Sequence, residues 1–190
     1  NKLSGANFSL IRFTNDAKIV TPFTNDTNIT IEAIDIMKPI DELYAKGSSL
    51  NSPIAPMIQS LESSKNKEDR IRILFFLSDG EITDEKKLES YNELKGLVDE
   101  GAILGYGTKN GGYMRYTDKY TNEIVYLMDK TIYPYEKAVS KIDEGNLKKI
   151  AEDIGIDYIN MNKQTNIDSK INDIKNISQF KTETNDKSSY

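Results

Sequence analysis

The chain has 190 residues, 37% hydrophobic and 29% charged, with a formal net charge of −5. That is enough for one α/β domain with a real core, and it lacks the basic excess that a nucleic-acid binder needs to neutralise phosphates. There is no cysteine and no histidine, which excludes disulfides, Cys- or His-ligated metals and histidine-based acid–base catalysis, and leaves oxygen ligands, hence Mg²⁺, Ca²⁺ or Mn²⁺, for any metal.

Taken in chain order, Phe8–Phe13 and Lys18–Phe23 read as strands of a hairpin, with Asn15-Asp16 supplying the turn. Pro22 directs the second strand to a sheet edge. Asp26 or Thr27 caps a helix bearing Ile29, Ala33, Ile36, Met37 and Ile40, with Pro39 ending it. A loop, Lys46-Gly47-Ser48-Ser49-Leu50-Asn51-Ser52-Pro53, opens a second helix with Ile54, Met57, Ile58 and Leu61 on one face. Ser63 to Asp69 is a polar linker.

Next comes the run Arg72-Ile73-Leu74-Phe75-Phe76-Leu77, ending in Ser78-Asp79-Gly80-Glu81. Apolar residues without alternation suit a central parallel strand buried on both faces. The polar end sets Asp79 at the carboxyl edge of the sheet, where open α/β folds bind ligands. Two readings stand: an Asp-Gly turn that merely ends a strand, or a ligand site. Glu81 is either a further ligand or partner contact, or a solvent-facing or helix-capping residue.

Asp84 caps an expected helix carrying Leu88, Tyr91, Leu94, Leu97 and Val98, closed by Gly101. Ala102–Gly107 is the next buried strand, joined to its predecessor by a right-handed crossover. From Thr108 to Tyr135 the alternation stops. Asn110-Gly111-Gly112 is a turn, and Tyr113–Tyr116 and Glu123–Met128 are the arms of an inserted hairpin. Seven of the eleven tyrosines lie between Tyr106 and Tyr135. They either form a binding face, with Tyr113 and Tyr116 as candidates, or pack the hairpin on the sheet edge. Asn146–Ile154 is a short amphipathic helix and Asp157–Met161 the last strand. Ile167, Ile171, Ile174 and Ile177 keep helical spacing, while the polar stretch Lys181–Tyr190 is expected to lack order.

This constellation resembles a von Willebrand factor A domain, a doubly wound, mostly parallel sheet with helices on both faces. The resemblance covers residues 1–162, with one antiparallel edge strand and the inserted hairpin, and leaves residues 163–190 as a terminal helix and flexible tail. It implies a metal-ion-dependent adhesion site built from three loops. Ser78-Asp79-Gly80-Glu81 matches the third loop, and Lys46-Gly47-Ser48-Ser49-Leu50 the second, with Ser48 in the usual Thr position and Ser49 the alternative register. The first loop, Asp-x-Ser-x-Ser, is expected with its strand and helix upstream of Asn1. Asp79 and Ser48 would then hold Mg²⁺ (or Ca²⁺ or Mn²⁺), and an acidic residue of a protein partner would complete the coordination. Such a half site would bind metal weakly or not at all. Leu147-x-x-Ile150-Ala151-x-x-x-Gly155 is also similar to membrane-anchored bacterial domains of the Bat aerotolerance type, with Ile156 departing from the usual second glycine. That resemblance implies a domain on the outer face of the bacterial membrane, anchored by segments outside this chain.

A non-enzymatic interaction module is therefore the leading expectation, with a metal-free scaffold in a membrane complex as the alternative. A Mg²⁺-dependent phosphohydrolase using Asp79 is weaker. No second Asp stands two residues away, and no phosphate-binding Gly-Lys loop or general base accompanies it.

Overall fold

The computed structural model describes residues 3, 5–38, 46–64, 70–118, 120–163 and 166–188, the side chains as far as residue 178. Ile40, Pro39 and most of the polar linker lie outside the described residues. The N-terminal hairpin forms as expected: β1 (Phe8–Phe13) pairs antiparallel with β2 (Ala17–Thr24). Its turn is closed by the Thr14 amide on the Asp16 carbonyl at 2.7 Å. Register shifts interrupt the ladder next to Pro22, which has no amide to donate. Asp26 caps α1 (Thr27–Asp35), its carboxylate accepting the Asn28 amide at 2.9 Å. No residue of α1 is fully buried, and the apolar residues Ile29, Ile34 and Ile36 are exposed.

The α/β centre is a parallel sheet of β3 (Ile73–Ser78), β4 (Glu100–Gly105) and β11 (Asp157–Asn160), with β4 in the middle. Helix α2 (Ile54–Ser64) contributes Met57 and Leu61 to the core. Helix α3 (Glu144–Ile154) contributes Leu147, Ile150 and Ile154, capped by Asp143 on the Asn146 amide at 3.1 Å. The run expected as the doubly buried centre is instead at the edge of this sheet. Only Phe76 of β3 is buried, and Leu77 is 53% exposed. β4 is buried from Gly101 to Gly105. Among the described residues no ladder joins β3 to the N-terminal hairpin. The two approach through side chains, Phe13 stacking on Phe76 with centroids 5.0 Å apart.

The expected helix between β3 and β4 is absent. Residues 84–99 contain one 3₁₀ turn, Asn92–Leu94, in an otherwise irregular path. The apolar residues are buried as their spacing implied: Tyr91, Leu94, Leu97 and Val98 all enter the core. What changes is where the backbone groups bond. The Asn51 side chain takes the Glu89 amide and the Lys87 carbonyl, at 2.9 and 2.8 Å. Buried Asp153 accepts the Tyr91 amide at 3.0 Å and the Ser90 hydroxyl at 3.2 Å. With those groups satisfied from outside, a helix gains little from its own ladder. Gly101 does not close a helix either. It lies in β4, where an added Cβ would sit 1.9 Å from the Leu74 carbonyl oxygen, so only glycine permits this strand approach.

The insertion is more than a hairpin. Six short strands, β5 (Gly112–Tyr113), β6 (Arg115–Thr117), β7 (Ile124–Tyr126), β8 (Met128–Asp129), β9 (Glu136–Lys137) and β10 (Val139–Ser140), pair as β5–β10, β6–β7 and β8–β9. They meet at a three-way junction where Met114 donates to Ala138 (2.9 Å), Ala138 to Leu127 (2.8 Å) and Leu127 to Met114 (3.0 Å), a closed cycle of backbone bonds. The stem β5–β10 leads to the sheet, and the other two arms end in turns.

Helix α4 spans Asp168–Ser188, so most of the stretch expected to lack order is helical. Its first turns are anchored: Ile171 and Ile174 are buried, and Lys170 bridges Glu100 and Asp157 at 2.6 Å each. Once a helix is nucleated, each further residue adds a bond at small cost even without an apolar face.

Candidate functional site at the carboxyl edge

Asp79 directly follows β3, at the carboxyl end of the sheet. One of its carboxylate oxygens accepts the Glu81 amide at 3.1 Å, and the other accepts the Ser140 hydroxyl at 3.0 Å. Its carbonyl accepts the Asp143 amide at 2.8 Å. The Ser78 hydroxyl accepts the Gly80 amide at 2.9 Å, and Asn146 donates to the Gly80 carbonyl at 3.0 Å. At Gly80 φ is +80°, and a Cβ would stand 2.4 Å from the Asp143 carbonyl oxygen. Glycine is needed for the turn and also for the approach of the chain leaving the insertion. Glu81 neither caps a helix nor lies free; its carboxylate accepts the Lys141 amide at 2.7 Å.

The Ser48 loop is tied to Thr83, four residues beyond Asp79. The Ser48 amide donates to the Thr83 hydroxyl at 2.7 Å, and the Thr83 amide returns a bond to the Ser48 carbonyl at 3.0 Å. Further anchors follow along the loop. The Ser49 amide donates to Thr14 (2.8 Å) and the Tyr91 phenol to the Leu50 carbonyl. Burial pushes that phenol's pKa up, so it stays a donor. The Ser49 hydroxyl bonds Asp84 and lowers its carboxyl below the ordinary range. Of the two serines Ser49 is buried and Ser48 exposed. The segment expected as a helix is thus a strap bonded to Leu50 and Asn51, while Thr83, four residues beyond Asp79 in sequence, holds Ser48.

Tyr113 and Tyr116 part company. Tyr113 is exposed and meets Tyr126 edge-on at 5.7 Å, with the Lys137 ammonium over both rings, at 5.2 and 3.8 Å. Tyr116 is half-buried in β6. The packing alternative fails for most of the ring cluster: Tyr120 is 98% exposed and Tyr133 91%, and Tyr126 and Tyr135 also face solvent.

Ser140, Lys141, Asp143, Asn146 and Thr83 complete the edge without having been singled out as site residues. Asp143 carried a signal, as an acidic residue three before Asn146 at a helix start. Ser140 carried none, because its bond to Asp79 spans 61 positions. The edge offers the Asp79 carboxylate and several hydroxyls, with the Glu81 and Asp143 carboxylates taken up by backbone amides, an oxygen donor set of the kind hard divalent cations take. Among the described residues no group of three or more acidic side chains gathers to hold an ion.

A parallel sheet of β3, β4 and β11 with helices packed on it defines the class: an α/β domain. The family is specific. The family model for the von Willebrand factor type A domain matches residues 2–180, and the chain belongs to that family. Two solved structures share the fold. BatB from Bacteroides thetaiotaomicron, described as a conserved hypothetical protein, is 22% identical with a TM-score of 0.65, covering 94% of this chain and 78% of that one. An aerotolerance-related membrane protein from Bacteroides fragilis, carrying multiple mutations to serines, is 19% identical with a TM-score of 0.65, covering 90% and 81%. A search among curated proteins gives no match. No helix among the described residues is long and apolar enough to cross a membrane.

Proposed function

We propose that this domain is a non-enzymatic protein-interaction module of a membrane-anchored bacterial protein of the Bat type, displayed on the outer face of the membrane. It binds a protein partner at the edge formed by Asp79 and Ser48. Domains of this family are commonly interaction modules, and the membrane setting is carried over from the aerotolerance-related membrane protein. In this reading Asp79 and Ser48 hold Mg²⁺, or Ca²⁺ or Mn²⁺, as two ligands of its shell. A carboxylate of the partner completes the shell. Glu81, the exposed ring of Tyr113 and Tyr116 extend the contact.

The observation that carries the reading is the double anchoring of the edge. The Asp79 turn is braced by Ser140 and Asn146, and the Ser48 loop by Thr83 and Tyr91. Both candidate ligands are therefore presented on preorganised loops. The test is partner capture by the wild type in Mg²⁺, in a chelator, and by Asp79→Ala. Capture lost under the last two conditions supports the metal edge; undiminished capture by Asp79→Ala rules it out. One observation favours a metal-free scaffold instead: both Asp79 oxygens already accept hydrogen bonds, one from Ser140. In that reading the carboxylate is a structural brace and chelation changes nothing.

A further inference from the structure

Beyond the Asp79 turn, the same edge carries a cleft of about 300 Å³ between the chain leaving β4 and the chain leaving β11. Thr108 and Lys109 line one side, Asn160, Asn162 and Lys163 the other, with Ile142 and Glu144 from the segment entering α3. Gly107 is its shared wall: a Cβ there would lie 3.7 Å from the Asp79 Cβ. The walls are fixed by bonds across them. Asn162 donates to the Gly107 carbonyl, Ile142 to the Thr108 carbonyl at 3.2 Å, and Asn160 to Glu144 at 3.2 Å.

The charge in this cleft is unbalanced. Its one carboxylate, Glu144, already pairs with Lys148 at 3.3 Å. That bond holds the Glu144 carboxyl below its ordinary range, and the fields of Lys109 and Lys163 lower it further. Lys109 and Lys163 themselves end in no ion pair among the described residues. Two lysines and side-chain amides thus line a small volume, with Ile142 beside them, in a chain whose net charge is −5. The complementary ligand is an anion on a short aliphatic stem.

We propose that this cleft is a metal-independent carboxylate subsite, in which Lys109 and Lys163 hold an Asp or Glu side chain of a protein partner beside Asp79. The proposal rests on the reading of the carboxyl edge as the partner-facing edge, but not on a metal there. An acidic residue held by lysines beside Asp79 gives the partner a second anchor, and so selects an acidic segment over a single acidic residue.

The test uses the 190-residue chain, ¹⁵N-labelled and in EDTA, titrated with the blocked peptide acetyl-Gly-Glu-Gly-amide. Saturable shifts are expected at the Gly107, Lys109, Asn162 and Lys163 amides. The Lys109→Gln/Lys163→Gln pair should weaken binding about tenfold, as loss of a charge-assisted hydrogen bond does. A control pair of exposed lysines, Lys87→Gln/Lys175→Gln, should leave it unchanged. Absence of saturation, an equal response to the Gly-Gln-Gly peptide, or equal weakening in the control pair overturns the subsite. Equal affinity for free glutarate overturns the protein source of the carboxylate. Binding that appears only with Mg²⁺, and vanishes in Asp79→Ala, moves the carboxylate to the metal edge and overturns the lysine cleft. Failure of the metal reading shows separately, as a Mg²⁺ titration that leaves the Asp79 turn unmoved.

Discussion

The β4 layer and the three-armed insertion are held together by different physics. Around β4, Ile103, Leu147, Ile150 and Leu94 are wholly buried, so burial of apolar surface carries the stability. In the insertion the strands are two or three residues long, and much of the apolar surface is exposed. Hydrogen bonds hold it instead: the cycle through Met114, Leu127 and Ala138, and the two arm turns. Asp118 accepts the Tyr120 and Thr121 amides at 2.8 Å, and Asp129 accepts the Thr131 amide at 2.8 Å. The Thr131 hydroxyl, at 2.6 Å, and then its amide lower the Asp129 carboxyl below its ordinary range, and the Thr121 and Tyr120 amides lower that of Asp118. Where the two regions join, at Asp79, Gly80, Ser140 and Asn146, the candidate site lies. A well-buried layer thus supplies position, while an exposed layer supplies surface.

The contrast breaks most sharply if core and insertion unfold as one unit. Ile103→Ala or Leu147→Ala should cost about 2–5 kcal/mol and lower the midpoint of denaturant unfolding for the whole domain. Replacing residues 114–138 with Asn-Gly, which closes the β5–β10 stem as a tight hairpin, should shift that midpoint by less than about 1 kcal/mol. An equally large loss would show the insertion to be part of the core.

The next effect concerns the strap beside the Ser48 loop. Asp153→Ala should cost about 1–3 kcal/mol, because the buried Tyr91 amide loses its acceptor. Burial alone would raise the Asp153 carboxyl, but Lys149, Tyr91 and Ser90 outweigh it and hold the pKa below its ordinary value of 3.8. A carboxyl with a depressed folded pKa stabilises the fold above its unfolded value. This contribution should therefore be full above about pH 4 and fade as pH falls through the lowered folded value. Acid titration of the wild type against Asp153→Ala, read by circular dichroism, checks it. Parallel curves would remove Asp153 from the account.

A smaller effect is expected at the joint. Ser140→Ala removes one hydroxyl donor from Asp79 and should cost about 1 kcal/mol. Faster amide exchange should follow at Glu81 and Lys141, with the core unchanged. Smallest of all, Tyr133→Ser at an exposed arm turn should alter stability by less than about 0.5 kcal/mol.

Much of this was legible in the sequence because it repeats at short range. The hairpin at Asn15-Asp16, the cap at Asp26 and the apolar strands around Phe76 and Ile103 all carry local signals. The α/β class and the Asp79 turn followed from them. The strap was misread because Leu88, Tyr91, Leu94 and Val98 keep helical spacing while Asn51 and Asp153 satisfy the backbone from a distance. Helix and 3₁₀ strap bury the same residues, and periodicity does not tell them apart. The edge position of β3 was hidden for a related reason: an apolar run records burial potential, and the neighbouring strand decides whether it is realised. The insertion has no period to read, and its junction joins residues 114, 127 and 138 only through space. The Ser140–Asp79 bond and the lysine cleft are likewise products of topology.

The central claim is that Asp79 and Ser48 act together on one ligand edge, and a Mg²⁺ titration of the ¹⁵N-labelled chain tests it most directly. The account predicts weak binding that moves the amides of Ser48 and of Asp79, Gly80 and Glu81 together, with both groups silent in Asp79→Ala. Shifts elsewhere, or shifts at the Asp79 turn that leave the Ser48 loop unmoved, would contradict it.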